Sequence, residues 1–156
     1  MGDVSDAYRD YRDFIESKAI RAQAAGFEPS PFRAELFPFQ AHAVTWALRQ
    51  GRAALFLDTG LGKTRCQLEW ARQVAEHTGK PVMILAPLAV AQQTVREAAK
   101  CGVDGAKYVR DPSEMADVKL VVTNYERLDR FDSSVFGGVV LDESSILKSY
   151  SGAMKN

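Results

Sequence analysis

Residues 55–70 read LFLDTGLGKTRCQLEW. An apolar run that closes at Leu57 meets the turn DTGLGKT, and a stretch with helical spacing follows. Within the turn, Gly60 and Gly62 let the backbone curl tightly and aim several N–H groups inward. A helix opening near Lys63 adds the positive end of its dipole at the same point. Thr59 sits in the loop, Lys63 supplies a cation for terminal phosphates, and the Thr64 hydroxyl can ligate Mg²⁺. Strand, glycine loop, Lys-Thr and helix stand in the order a phosphate cradle requires. The strict spacing G-x-x-x-x-G-K-[ST] asks for glycine where Leu57 stands, so the match is relaxed at its first position.

Working outward from this turn, strands and helices alternate. Apolar β-rich runs predict strands at residues 53–57, 81–86, 107–109, 119–123 and 139–141. Helical periodicity covers residues 40–50, 64–77 and 89–100, with a short helical turn at 126–130. Strands apolar on both faces and separated by helices imply an α/β fold, a parallel sheet with helices on both faces. Upstream, Val4, Tyr8, Tyr11 and Ile15 mark one face of an amphipathic helix over residues 4–24, which Gly26 is expected to stop. The proline-bearing EPSPF of residues 28–32 reads as an extended linker. The expected organisation is an N-terminal helical segment, 1–27, and a nucleotide-binding lobe, 28–156. Trp46 and Trp70 are expected in the core, Cys66 beneath the loop helix, and His42 and His77 at the surface.

A phosphate loop that supports hydrolysis needs acidic groups to place a metal ion and a water. The segment GGVVLDESS, residues 137–145, offers them. Its apolar residues 139–141 bury, and Asp142 and Glu143 emerge at the C-terminal end of the strand, where open parallel sheets bind ligands. Asp142 is the candidate metal holder and Glu143 the candidate general base.

Composition sets the outer limits. The chain has 156 residues, enough for one ordinary domain, and a formal net charge of +0 from 20 basic and 20 acidic residues. That balance gives no global attraction to nucleic acid or anionic membrane, so a nucleic-acid partner needs a local groove. Cys66 and Cys101 form no C-x-x-C pair and have no histidine nearby, which argues against zinc or a disulfide framework. No apolar run approaches the length needed to span a bilayer, and the polar N-terminus is not a secretory signal, so a cytoplasmic location is expected.

The ordered set LFPFQ (36–40), LDTGLGKT (57–64), ILAPLAV (84–90), VVTNYERL (121–128) and VVLDESSILKS (139–149) resembles the first RecA-like motor lobe of superfamily-two helicases. It is most similar to the Swi/Snf-like branch, phage-encoded members included, in which case the location is the host cytoplasm. Asp142, Glu143 and Lys148 match that branch's acidic motif, whereas Ser144, Ser145 and Ser149 depart from it. The resemblance implies ATP and Mg²⁺ as ligands, Gln40 reading the adenine edge with Phe37 and Phe39 nearby, and Lys63, Thr64, Asp142 and Glu143 in the roles given above. It implies that Pro87, Leu88 and Ala89, and again Thr123, Asn124 and Tyr125, lie along a nucleic-acid backbone, double-stranded DNA rather than single-stranded.

The resemblance also implies missing parts. A complete motor has a second lobe, and its first lobe has a strand between the phosphate-loop strand and the acidic strand. The expected lobe is therefore incomplete at its C-terminus. Three outcomes are open: a fragment that continues into a second lobe, a homodimer that completes the sheet, or a rearranged sheet. The rival is a non-catalytic interaction protein that uses the lobe as a scaffold to bind a partner chain. A kinase or GTPase ranks lower, since no guanine-specificity motif is present.

Overall fold

The computed structural model describes residues 23–58 and 60–143, together with Arg9, Arg12 and Asp13. Four strands, β1 (Val82–Leu85), β2 (Ala106–Tyr108), β3 (Leu120–Thr123) and β4 (Gly138–Leu141), pair in the order β2-β3-β1-β4. Every pairing is parallel: Val82 stands opposite both Leu120 and Gly138, and Ala106 opposite Leu120. All residues of β1 and β3 are buried, as central strands of a parallel sheet covered on both faces must be.

The faces are covered unequally. Helices α1 (Pro38–Gln50), α2 (Lys63–Thr78) and α3 (Leu88–Lys100) contribute Val44, Leu48, Leu68, Ala71 and Ala91 to a core with Val82, Ile84, Leu120 and Val122. On the opposite face Met83, Leu85 and Val121 pack with Tyr125 and Phe136 from short 3-10 helical turns and loops. The helices match the sequence expectation to within two residues at each end, and the 3-10 turn Tyr125–Arg130 replaces the expected turn at 126–130.

Four expectations are corrected. Residues 53–57 form no strand: they run unpaired, and Phe56 is 96% exposed. A segment becomes a strand only when a neighbour takes its backbone hydrogen bonds, and among the described residues none lies beside this one. Among the described residues β4 pairs only with β1, and a cleft of about 1080 Å³ separates its other side from residues 53–58. For the same reason β4 is not fully buried; Val139 and Leu141 are 45% and 43% exposed. Trp46, expected in the core, is exposed on α1, while Trp70 packs against the core.

The fourth correction concerns Gly26. Residues 23–30 are extended, and the N–H groups of Ala25, Gly26 and Phe27 donate to the carbonyls of Gln50, Arg49 and Leu48 at 3.2, 3.1 and 3.0 Å. They satisfy the last carbonyls of α1, which a helix cannot satisfy itself. A Cβ on Gly26 would fall 1.7 Å from the Leu48 oxygen, so closeness to α1, not helix termination, demands glycine here. Arg9, Arg12 and Asp13 are helical; residues 23 and 24, expected as the end of the 4–24 helix, are extended instead, and the rest of that helix lies outside the described residues.

The linker that follows is strapped along α2. Gln73 accepts from the Ser30 N–H (2.8 Å) and donates to the Ser30 carbonyl (3.0 Å). Arg72 donates to the Pro31 carbonyl (3.1 Å), and the Glu69 carboxylate accepts from the N–H groups of Ala34 (3.1 Å) and Arg33 (3.4 Å). The strap delivers the chain to Phe37 and the start of α1 beside the glycine loop. Among the described residues no helix is long and apolar enough to cross a membrane.

Candidate functional site

The glycine loop takes the shape its residues suggest. Gly60 and Gly62 sit at φ 83° and 72°, in the left-handed region that favours glycine. Gly62 is the N-cap of α2, which opens at Lys63 with no side-chain cap, leaving its first-turn N–H groups facing the loop. A Cβ on Gly62 would also lie 2.3 Å from Nε2 of Gln40, so both backbone angle and space require glycine.

That contact explains Gln40. It is buried rather than facing water, with its amide engaged at both ends: Oε1 accepts from the Phe37 N–H (2.9 Å), and Nε2 donates to the Leu61 carbonyl (2.7 Å). Gln40 therefore ties the start of α1 to the glycine loop. Phe37 and Phe39 are exposed beside it, their rings near parallel at 6.2 Å.

The acidic pair stands across the cleft. Lys63, Asp58, Asp142 and Glu143 line the same cleft, with Gln67 and Trp70 from α2 and residues 139–141 from β4. Gln67, one turn beyond Lys63, donates from Nε2 to Oδ1 of Asp142 at 3.1 Å. The Asp142 N–H donates to the Leu85 carbonyl (2.8 Å), and its own carbonyl accepts from the Tyr125 hydroxyl. Glu143 follows at φ 52°, one of two non-glycine residues with positive φ among those described. Burial, then the neighbouring Asp142 and Glu143 charges, push the Tyr125 hydroxyl up to about 12, so it is a donor throughout the physiological range.

The parallel sheet brings the remaining candidates to one edge. Pro87 and Leu88 leave the C-terminal end of β1 and open α3, with Leu88 well exposed. Thr123 and Asn124 close β3 at the same edge, but their side chains are buried. Asn124 accepts from the Tyr108 hydroxyl (3.1 Å) and donates to Glu126 (3.0 Å). The Thr123 hydroxyl has no hydrogen-bond partner among the described residues. Thr59 and residues 144–149 lie outside the described residues.

Sequence reasoning missed Gln67 and the hydroxyl role of Tyr125. Gln67 stands four residues beyond Lys63, on the same helix face, and that spacing was a signal for it. Tyr125 had none: nothing in the string shows that its ring reaches past β1 to the end of β4.

Ligand fit can be tested on these contacts. No group of three metal-ligating side chains occurs among the described residues. Mg²⁺ would suit such a site only as an ion carried largely by phosphates and water, with one or two protein oxygens; of the two expected holders, Asp142 lines the cleft and Thr64 is not among its lining residues. The open space around Gly60 and the uncapped helix start fit the phosphates.

A parallel sheet with a glycine loop opening a helix and an acidic pair after the neighbouring strand defines a RecA-like α/β lobe. The DEAD/DEAH box helicase family matches residues 37–152, well over half of the sequence, and the chain belongs to that family. Among solved structures, the UvsW helicase from bacteriophage T4 is similar in fold, with a TM-score of 0.66 and 21% sequence identity. The match covers 90% of this chain and 54% of the UvsW chain, so this chain spans about half the length of that relative. A comparison with curated proteins finds no match.

Proposed function

We propose that this chain is the nucleotide-binding lobe of an ATP-dependent DNA motor of the Swi/Snf-like branch. One observation carries the reading: the hydrogen bond from Gln67 to Asp142 sets the phosphate-loop helix and the acidic strand on a single cleft. In that cleft the Lys63 ammonium and the first N–H groups of α2 receive the β- and γ-phosphates. The Thr64 hydroxyl and the Asp142 carboxylate would hold Mg²⁺, which would neutralise charge developing on the phosphates. The Glu143 carboxylate orients the attacking water and takes its proton. Gln40 meets the adenine edge only by exchanging one of its two present bonds, so base reading is coupled to the glycine loop through Leu61. Pro87 and Leu88 offer exposed backbone to a nucleic-acid strand, and Thr123 and Asn124 contribute through the main chain, since their side chains are turned inward. Hydrolysis by this lobe alone is slow, because a second lobe supplies the arginines that complete such sites.

The test is nucleotide-dependent thermal stabilisation. Ligand that binds only the folded state raises apparent stability by mass action. Mg·ATP raises Tm in the wild type and not in Lys63→Ala; an equal rise in both would defeat the assignment.

The open side of β4 favours a second reading, in which the lobe is completed by another chain. Residues 53–57 and β4 line one cleft, and among the described residues neither pairs with a strand on that side; an inserted strand from a second copy or a partner would pair with both. Light scattering distinguishes the two: a stable dimer supports this reading, and a monomer at high concentration opposes it.

A further inference from the structure

The acidic turn is held from an unexpected direction. In the sheet, β1 lies between β3 and β4. Tyr125 follows β3, yet its hydroxyl passes the end of β1 and donates to the backbone carbonyl of Asp142, beyond β4. The backbone of Asp142 is thereby held on both sides, its N–H on the Leu85 carbonyl and its C=O on Tyr125. That C=O shares one rigid plane with the N–H of Glu143. Holding it sets the angle at which the chain enters Glu143, whose φ of 52° is costly for a residue with a Cβ. Such a conformation persists only where its surroundings support it, and the Tyr125 hydroxyl holds the peptide plane from which it departs. The tyrosine is 6% exposed, and Phe136 and Val121 of the second core cluster keep its ring in place.

We propose that Tyr125 is a positioning residue for the metal-holding turn: by clamping the Asp142 carbonyl, its hydroxyl fixes the Asp142 and Glu143 side chains relative to Lys63. The same clamp joins that turn to Thr123 and Asn124, so displacement of the β3 end is transmitted to the acidic pair. This rests on the reading of Asp142 as metal holder and Glu143 as base.

The experiment uses Tyr125→Phe, which keeps the ring and removes the hydroxyl. A fluorescent, non-hydrolysable ATP analogue is titrated against the full chain with and without Mg²⁺. Loss of an outer contact to a metal ligand typically weakens metal affinity about 10–100-fold, so the Mg²⁺ concentration for half-maximal binding should rise about tenfold or more. Affinity without Mg²⁺, set by the glycine loop, should be unchanged. Tyr108→Phe, which removes the hydroxyl that donates to Asn124, controls for loss of a buried hydroxyl; it should cost similar thermal stability and leave the Mg²⁺ requirement at the wild-type value. An unchanged Mg²⁺ requirement in Tyr125→Phe, with Lys63→Ala still abolishing binding, overturns the positioning role while sparing the site. If wild-type binding depends on neither Mg²⁺ nor Lys63, the site reading fails and takes this proposal with it.

Discussion

Glu69→Gln should be among the most damaging single substitutions in the chain, although Glu69 touches neither the glycine loop nor the acidic pair. The Glu69 carboxylate is fully buried, and Arg72 beside it is 5% exposed. Besides Arg72, the carboxylate accepts from Gln73 at 3.1 Å and from the N–H groups of Arg33 and Ala34. The amide keeps one acceptor oxygen but loses the buried one of the two carboxylates that compensate the Arg72 guanidinium, the other being the partly exposed Glu76 at 2.7 Å, and it places an NH₂ among donors. Leaving one charge of a buried pair wholly uncompensated costs about 3–5 kcal/mol, which is the upper bound here because Glu76 still faces Arg72. At about 2–4 °C per kcal/mol for a chain of this size, Tm should fall by several degrees and by no more than about 20 °C. Thermal melts followed by circular dichroism read the effect. Arg49→Ala is the control: it breaks the bidentate Arg49–Glu28 pair, which is exposed on both sides, and should leave Tm within error. Arg72→Met in the Glu69→Gln background should cost less than in the wild type, because the charge it removes has already lost its buried partner and keeps only Glu76. A Glu69→Gln loss no larger than that of Arg49→Ala would refute the view that this buried cluster fastens the linker to α2.

Three further outcomes follow from the same contacts. Burial raises the Glu69 pKa, but hydrogen bonds from Arg72, the Ala34 N–H and Gln73 outweigh it and hold it below the usual carboxylate value. A depressed folded-state pKa contributes stability above the unfolded value and loses it as pH falls through the folded one, so the Tm gap between wild type and Glu69→Gln should be full at neutral pH and close below about pH 4.3; a gap constant down to pH 3 would contradict this. Gly62→Ala meets both a left-handed φ and the Gln40 amide, and should lose about 1–3 kcal/mol in chemical denaturation, whereas wild-type stability would contradict the loop geometry. Phe56→Ser removes an exposed ring and should leave Tm unchanged while lowering any self-association seen by light scattering; a large Tm loss would show that residues 53–57 are packed after all.

How much of this was legible in the sequence depends on the range of each interaction. The α2 helix and its glycine start were legible because spacing, turn chemistry and the Lys-Thr pair act within a few residues of one another. The parallel order was legible from the fully apolar runs at 82–85 and 120–123. Residues 53–57 misled because an apolar run shows a capacity to pair, whereas pairing needs a neighbour. Gly26 misled because glycine serves both helix ends and close contacts, and only the packing of residues 25–27 on α1 separates the two. The Glu69–Arg72–Gln73 strap was not legible, since nothing in the string shows that an extended linker covers that face of α2. At the site, the loop and acidic pair were readable as local motifs. The Gln40–Leu61 bond and the Tyr125 clamp join residues 21 and 17 positions apart and needed the fold.

The central claim is that Lys63 and Asp142 act on one ligand. Calorimetric titration of Mg·ATP into the wild type, Lys63→Ala, Asp142→Asn and the double variant tests it most directly. The account predicts one nucleotide site per chain, lost in Lys63→Ala and deprived of its Mg²⁺ dependence in Asp142→Asn, with the double variant no worse than Lys63→Ala. Wild-type binding in both single variants would contradict it.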